Sequence, residues 1–149
     1  MRLVPALRLG TLASLLLLAP AGLRAQAVVD TTAAIEAASQ AAESWMKLLD
    51  AGKMAQSWDE ASTSFQGAVT SPQWVQSVLN ARLAYEPFGE RTRIAARYTT
   101  ELPNAPAGQY VILRYRTKVL QDRTVVETVV PVLDGGRGWR VSGYFVRPE

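Results

Sequence analysis

The chain contains no cysteine and no histidine among its 149 residues. Without cysteine there is no disulfide to brace a small domain, no thiol nucleophile, and no residue to carry the lipid of a bacterial lipoprotein just after its leader. Without histidine a Ser-His-Asp triad is excluded, and with both types missing so are ordinary zinc sites. No metal site and no cofactor is expected. The glycine-rich "DGGRG" (134–138) lies between two strand-like segments rather than at a strand-to-helix turn, so it does not read as a phosphate cradle. Long hydrophobic runs are missing too. The apolar stretch Leu9–Ala19 covers about eleven residues, short of the roughly 20 that span a bilayer.

That short run is informative all the same. Arg2 and Arg8 form a basic start, and Ala25-Gln26-Ala27 places small residues at the −3 and −1 positions of a cut after Ala27. This is the anatomy of a secretory signal peptide. The expectation is a signal peptide at 1–27 and a single mature domain at 28–149. Cleavage falls after Ala27, or alternatively after Ala25, and leaves a periplasmic or secreted protein with no membrane span. Lacking disulfides in an oxidising compartment, that domain has to stand on its hydrophobic core, for which about 120 residues suffice.

A surplus of charge is also absent. The full chain carries 16 Lys and Arg against 13 Asp and Glu, and three of the basic residues (Arg2, Arg8 and Arg24) lie in the leader. The mature part is therefore neutral, which speaks against nucleic acid as a partner, since that affinity rests on many phosphate contacts. The charges are nonetheless polarised. Between residues 28 and 81 only Lys47 and Lys53 oppose six acids, while between 82 and 149 eleven basic residues oppose seven. Such an asymmetry either steers an anionic partner or marks solvated sheet edges.

What the mature chain does contain is periodic. Ile35, Ala38, Ala42, Trp45 and Leu49 recur at spacings of three and four, one face of a helix over 31–49, with Asp30, Thr31 and Thr32 as candidate N-caps and Gly52 suited to a left-handed C-terminal position. Met54, Trp58, Ala61 and Phe65 predict a second helix. Ser71 as N-cap and Pro72 at the first helical position open a third, continued by Trp74, Val78, Ala81 and Tyr85. After Gly89 the period becomes two. Thr92, Ile94, Ala96 and Tyr98 alternate with a polar row of Arg91, Arg93, Ala95 and Arg97. "QYVILRYRTKV", "RTVVETVVPVL" and "WRVSGYFV" supply three further strands. Three helices packed on a curved four-stranded antiparallel sheet make one α+β domain.

The stretches "AAESWMKLLDAGKMAQSWDEASTSF", "SPQWVQSV", "FGERTRIAARYTTELPNAPAGQYVILRYRTKV" and "VETVVPVLDGGRGWRVSGYFV" resemble, in that order, a secreted bacterial family catalogued as domain of unknown function 4019. The resemblance covers nearly all of the mature chain. Its most specific parts are the W-x-x-L-x-D-x-G-x-x-x-x-S-W stretch, the LP-x-AP-x-G-x-Y connection and the closing W-R-V-S-G-Y. It implies a fold similar to the nuclear-transport-factor-2-like and cystatin-like cones, often with a cavity between helices and sheet. It implies no activity and assigns no residue a role.

Four tryptophans, Trp45, Trp58, Trp74 and Trp139, read as core, because aromatic stripes at helical spacing usually are. The alternative for Trp45 and Trp58 is the lining of a ligand pocket. A buried indole N–H needs an acceptor, for which Asp50, Ser57 and Asp59 are the candidates. Glu127 lies mid-strand between Val125 and Val129, where a charge is costly unless paired. Arg114 and Arg116 on the preceding strand are the expected partners. The structural reading is a cross-strand ion pair on a solvated face; the functional one is a general acid or base, for which Asp59 is a weaker second candidate. Tyr110, Arg114 and Arg116, with Arg140 and Tyr144 on the last strand, form a row suited to binding an anion or a peptide. The same face would serve homodimerisation.

Three functions follow as expectations. The first is a non-catalytic binding or interaction module for a small ligand or an envelope protein. The second is a small carboxylate-based hydrolase- or isomerase-like enzyme. The third is a purely structural homodimer.

Overall fold

A computed structural model describes residues 29–149. The expected signal peptide and its two candidate cleavage points lie outside the described residues. Four helices come first: α1 (Thr31–Asp50), α2 (Met54–Asp59), α3 (Thr63–Ala68) and α4 (Ser71–Arg82). Four strands follow: β1 (Arg91–Thr99), β2 (Tyr110–Lys118), β3 (Thr124–Leu133) and β4 (Trp139–Pro148). The strands pair antiparallel in chain order to form one sheet. None of the described helices is long and apolar enough to cross a membrane.

The α+β class is as expected, but the helix count is not. The spacing of Met54, Trp58, Ala61 and Phe65 predicts one helix, and the chain forms two. The break is at Ser62. Its N–H turns away to donate to the Val141 carbonyl on β4 at 2.9 Å, and its hydroxyl accepts from the Phe65 N–H at 3.1 Å, capping α3. A serine that can satisfy the backbone locally competes with the helical ladder, and here a strand carbonyl completes the exchange. Among the three candidate caps of α1 it is Asp30 whose carboxylate accepts from Thr32 and Ala33. The cap of α4 is Thr70 rather than Ser71, in a reciprocal capping box with Gln73. α4 ends at Arg82, so Tyr85 is not part of it, and its buried face is Trp74, Val78 and Arg82, with Ala81 exposed.

One face of the sheet meets the helices. It is built from Val111, Leu113, Tyr115 and Thr117 of β2, Val125, Glu127 and Val129 of β3, and Val141 and Tyr144 of β4, all buried. Trp45 of α1 and Trp74 of α4 lie 5.7 Å apart between ring centroids. Tyr144 packs 5.6 Å from Trp45, and Phe65 meets Trp74 edge-on at 5.0 Å. Trp58 and Trp139 are partly buried against the same core. These side chains fill the space between helices and sheet, where the cone resemblance leads one to expect a cavity.

The polar row expected along β1 is broken in two by a bulge. Arg91 and Arg93 pair with Thr117 and Tyr115, which face the helices, whereas beyond the irregularity Ala95 and Arg97 pair with Arg114 and Ile112 on the opposite face. The extra residue flips the alternation, because side chains change face at every step along a strand. Two arginines are thereby sent inward and one outward.

Ser57, fully buried on α2, joins the two central indoles. Its carbonyl accepts from Trp45 Nε1 at 2.7 Å and its hydroxyl from Trp74 Nε1 at 2.9 Å, while that hydroxyl donates to the Met54 carbonyl. Neither Asp50 nor Asp59 serves an indole; Trp58 donates to the Val69 carbonyl at 2.8 Å. Ser57→Ala removes the only acceptor of the buried Trp74 N–H, so it should destabilise the domain by about 1–3 kcal/mol. Urea unfolding followed by tryptophan fluorescence reads this as a lower midpoint with an unchanged slope; an unchanged midpoint would refute the bridge.

Candidate functional site

The most densely connected polar cluster lies between the end of α1, the end of α4 and the inner face of the sheet. Arg91, at the start of β1, forks onto two carboxylates. Its Nε donates to Glu127 Oε2 at 2.6 Å and one terminal nitrogen to Glu127 Oε1 at 3.2 Å; the same nitrogen and its twin reach Asp50 at 2.9 and 2.5 Å. Arg82, 1% exposed, donates to Asp50 at 2.7 Å, to Glu86 at 2.8 Å and to the Tyr144 hydroxyl at 3.0 Å. Its guanidinium sits 3.7 Å from the centre of the Phe88 ring, a cation–π contact. Tyr144 and Thr117 in turn donate to Glu127 at 2.6 and 2.5 Å.

Glu127 is completely buried, and both its oxygens are saturated by Arg91, Thr117 and Tyr144. This corrects the expected pairing. Arg114 and Arg116 sit opposite Thr128 and Val126, while the register partner of Glu127 is Tyr115. Glu127 is thus not on a solvated face: its row is the helix-facing one, and its cation comes from β1, across β2. A carboxylate with all its acceptor positions filled by fixed donors has none free to receive a substrate proton. Among the described residues no buried side-chain nitrogen or oxygen lacks a hydrogen-bond partner.

The electrostatics agree with a neutralised cluster. Burial pushes Asp50 up, but the hydrogen bonds from Arg91 and Arg82 outweigh it and hold the carboxyl below its ordinary range. Burial opposes the charge of Arg91 as well, yet Asp50 and Glu127 raise it further above its ordinary value. Tyr144 is pushed up, first by burial and then by the Glu127 carboxylate it faces, so it stays a neutral hydrogen-bond donor. An open groove of about 280 Å³ beside this cluster is lined by Arg91, Arg93, Glu43, Lys47 and Tyr115, and not by Glu127. Asp59, the other acid–base candidate, is exposed on α2.

The expected binding row is divided. Arg114 and Arg116 lie on the outer face of the sheet and line an open groove of about 640 Å³ together with Arg147, Ile94, Val126 and Phe145. Tyr110 is buried at the far end of that face, where its hydroxyl donates to the Pro106 carbonyl at 2.7 Å. Tyr144 points the other way, into the cluster just described. Arg140 stays at the hairpin end of β4, its Nε donating to the Arg137 carbonyl at 3.1 Å, and borders a small pocket of about 110 Å³ with Ser44 and Glu60. A pairing irregularity between Val130 and Pro131 interrupts the strict alternation on which the row depended.

Arg82, Arg91 and Asp50 are the members that sequence reasoning overlooked as a cluster. A signal for Arg82 was present: it follows Trp74 and Val78 at steps of four, on the apolar stripe, with Glu86 four further on. Nothing local marks Arg91, because its inward direction depends on the bulge.

Fold and site together define an α+β domain with a meander sheet, an internally neutralised ionic cluster and an arginine-lined outer face. The chain belongs to the family described as "Protein of unknown function (DUF4019)", whose match covers residues 41–144. No curated protein and no solved structure matches it. The matched span contains Asp50, Arg82, Arg91, Arg114, Arg116 and Glu127; Phe145 and Arg147 fall just past its end.

Glu127→Gln should destabilise the fold by roughly 1–3 kcal/mol: Arg91 keeps Asp50, but buried donors lose a charged acceptor and face an amide N–H in its place. Urea denaturation of the variant measures this, and a change within about 0.5 kcal/mol, as for ordinary surface substitutions, would show that the cluster does not hold the sheet. The folded Asp50 carboxyl lies below its ordinary value of 3.8, so its contribution is fully present above about pH 4 and is lost as pH falls through the folded value. Urea midpoints between about pH 7 and pH 2 should therefore drop at the acid end, and Asp50→Asn should flatten part of that drop. An acid limb identical in the variant would refute the assignment.

Proposed function

We propose that the protein is a non-catalytic binding module of the cell envelope, secreted through a leader at 1–27, whose binding surface is the outer face of its sheet. The observation that carries this reading is the contrast between the two faces. Inside, every titratable group of the ionic cluster is consumed by another. Outside, the 640 Å³ groove collects Arg114, Arg116 and Arg147 around Phe145, which is 56% exposed. The volume falls in the range of small-molecule sites, about 300–1,000 Å³. Exposed aromatic and arginine side chains are the types enriched where proteins meet partners. The layer arrangement is read as similar to the nuclear-transport-factor-2-like and cystatin-like cones, which host many functions and so assign none.

Carboxylate-based catalysis is disfavoured, since Glu127 is saturated and sealed and Asp59 is exposed on a helix. Homodimerisation through the outer face is disfavoured on charge. A two-fold interface sets the same patch against itself, here arginine against arginine.

The test is native mass spectrometry of the mature chain purified gently from the envelope fraction. The expected result is a species heavier than one chain whose added mass disappears in the double variant Arg114→Glu/Arg147→Glu. Retention of that mass by the double variant would place binding elsewhere, and a clean dimer with nothing added would overturn the reading in favour of the structural homodimer.

A further inference from the structure

The outer face holds a second groove, which meets the first at Phe145. The second, about 320 Å³, lies between α3 and the loop Leu102–Pro106, and Phe145 lines both. Their chemistry differs. The first is the arginine end. Arg116 is already engaged there by Glu149, Nε to Oε1 at 2.6 Å, whereas Arg114 and Arg147 have no carboxylate partner among the described residues. The second is an apolar slot lined by Phe65, Leu102, Pro103, Pro106, Tyr110 and Val130. Its three hydroxyls are spent: Tyr110 donates to the Pro106 carbonyl, Ser142 to the Val130 carbonyl at 2.8 Å, and Ser64 shares a hydrogen bond with the Ser62 hydroxyl at 3.0 Å. Gly143 lies on the wall of the slot beside Phe145. A Cβ there would make ordinary contact, 3.4 Å from the Phe145 ring and 3.6 Å from Val130, and a larger side chain would fill the space next to Phe145.

From this division we infer that the outer face binds a single-chain anionic amphiphile, a long-chain fatty carboxylate, with its head at Arg114 and Arg147 and its chain running past Phe145 and Gly143 into the slot. The inference rests on the binding surface proposed above and names its ligand. Arg114 lies four residues from Tyr110 along β2, and Arg147, level with Arg116 in the register, lies six, about 13–20 Å at roughly 3.3 Å per residue, which brackets the length of an extended fatty chain. The two uncompensated guanidiniums supply the charge complement of a carboxylate.

Other occupants fit less well. A polypeptide lying across a sheet face finds side chains rather than free backbone groups, so it gains none of the main-chain hydrogen bonds that drive strand addition at an edge. A bilayer surface does not enter a slot walled by a helix and a loop. A second copy brings the repulsion already noted.

The experiment is calorimetric titration of the mature chain with myristate below its micelle concentration, with backbone amide shifts mapped by NMR. Acetate serves as a head without a tail and tetradecanol as a tail without a charge. Myristate should bind and shift the amides of Tyr110, Val130, Gly143, Phe145 and Arg147, with acetate and tetradecanol at least tenfold weaker. Arg114→Glu/Arg147→Glu should weaken myristate at least tenfold, and Gly143→Leu, which fills the junction, should do the same while circular dichroism stays native. No binding, equal binding by the charge-reversal variant, or binding only to phosphatidylglycerol vesicles would each overturn the inference. Its failure is separable from that of the broader reading. If the native protein carries a mass that charge reversal removes while myristate does not bind, the fatty carboxylate is wrong and the surface stands. If neither is seen, both fall.

Discussion

The fork of Arg91 onto Asp50 and Glu127 is the interaction on which the arrangement of the layers depends. Arg91 belongs to β1, an edge strand held by its ladder with β2 and by the Arg93 bond to Ser39 of α1. Through one guanidinium it reaches the last residue of α1 and the middle of β3, two strands away. Without it Glu127, at 0% exposure, would keep only the longer contact to Arg82 at 3.6 Å, and losing the closer partner of a buried ion pair is strongly destabilising. Arg82 closes the cluster from the side of α4, sharing Asp50 with Arg91 and touching Glu127 through the Tyr144 hydroxyl. Three helix and strand termini that share no sequence neighbourhood are thus tied at one point.

The same cluster accounts for part of the charge asymmetry along the chain. The acidic first half contributes Asp50 and the basic second half contributes Arg82 and Arg91, and these meet inside and cancel. Of the rest of the positive half, Arg97, Arg114 and Arg147 lie on the outer face without an ion-pair partner among the described residues, while Arg123 and Arg140 donate to backbone carbonyls. A mature chain neutral in sum therefore presents three uncompensated arginines together on the outer face. Screening at physiological salt, with a Debye length of about 8 Å, limits such a surface to short-range recognition and does not abolish it.

Much of the helical layer could be read from local pattern. The stripe Ala38, Ala42, Trp45, Leu49 is buried in α1, Gly52 has the left-handed φ of +72° its position called for, and Pro72 lies in the first turn of α4. These rest on spacing and capping within a few residues. The division of α2 from α3 could not be read so, because the Ser62 N–H is satisfied by Val141, far along the chain. Strand existence was legible. The facing of β1 was not, since a bulge shifts every later side chain while leaving almost no compositional trace.

For the site the balance is different. The sequence by itself determined which chemistry was on hand: carboxylates, arginines, tyrosines and lysines, with no imidazole or thiol. It also marked Glu127 as a charge in an apolar strand that had to find a partner. Only the tertiary structure decided that the partner was Arg91, 36 residues away in the chain, and that Arg114 and Arg116 line the opposite face. The reason is physical. Periodicity and capping are interactions over one or two turns and are written in adjacent residues. The pairing of charges across a sheet is set by register and bulges, which are decided only when the strands have assembled and the helices have covered one of their two faces.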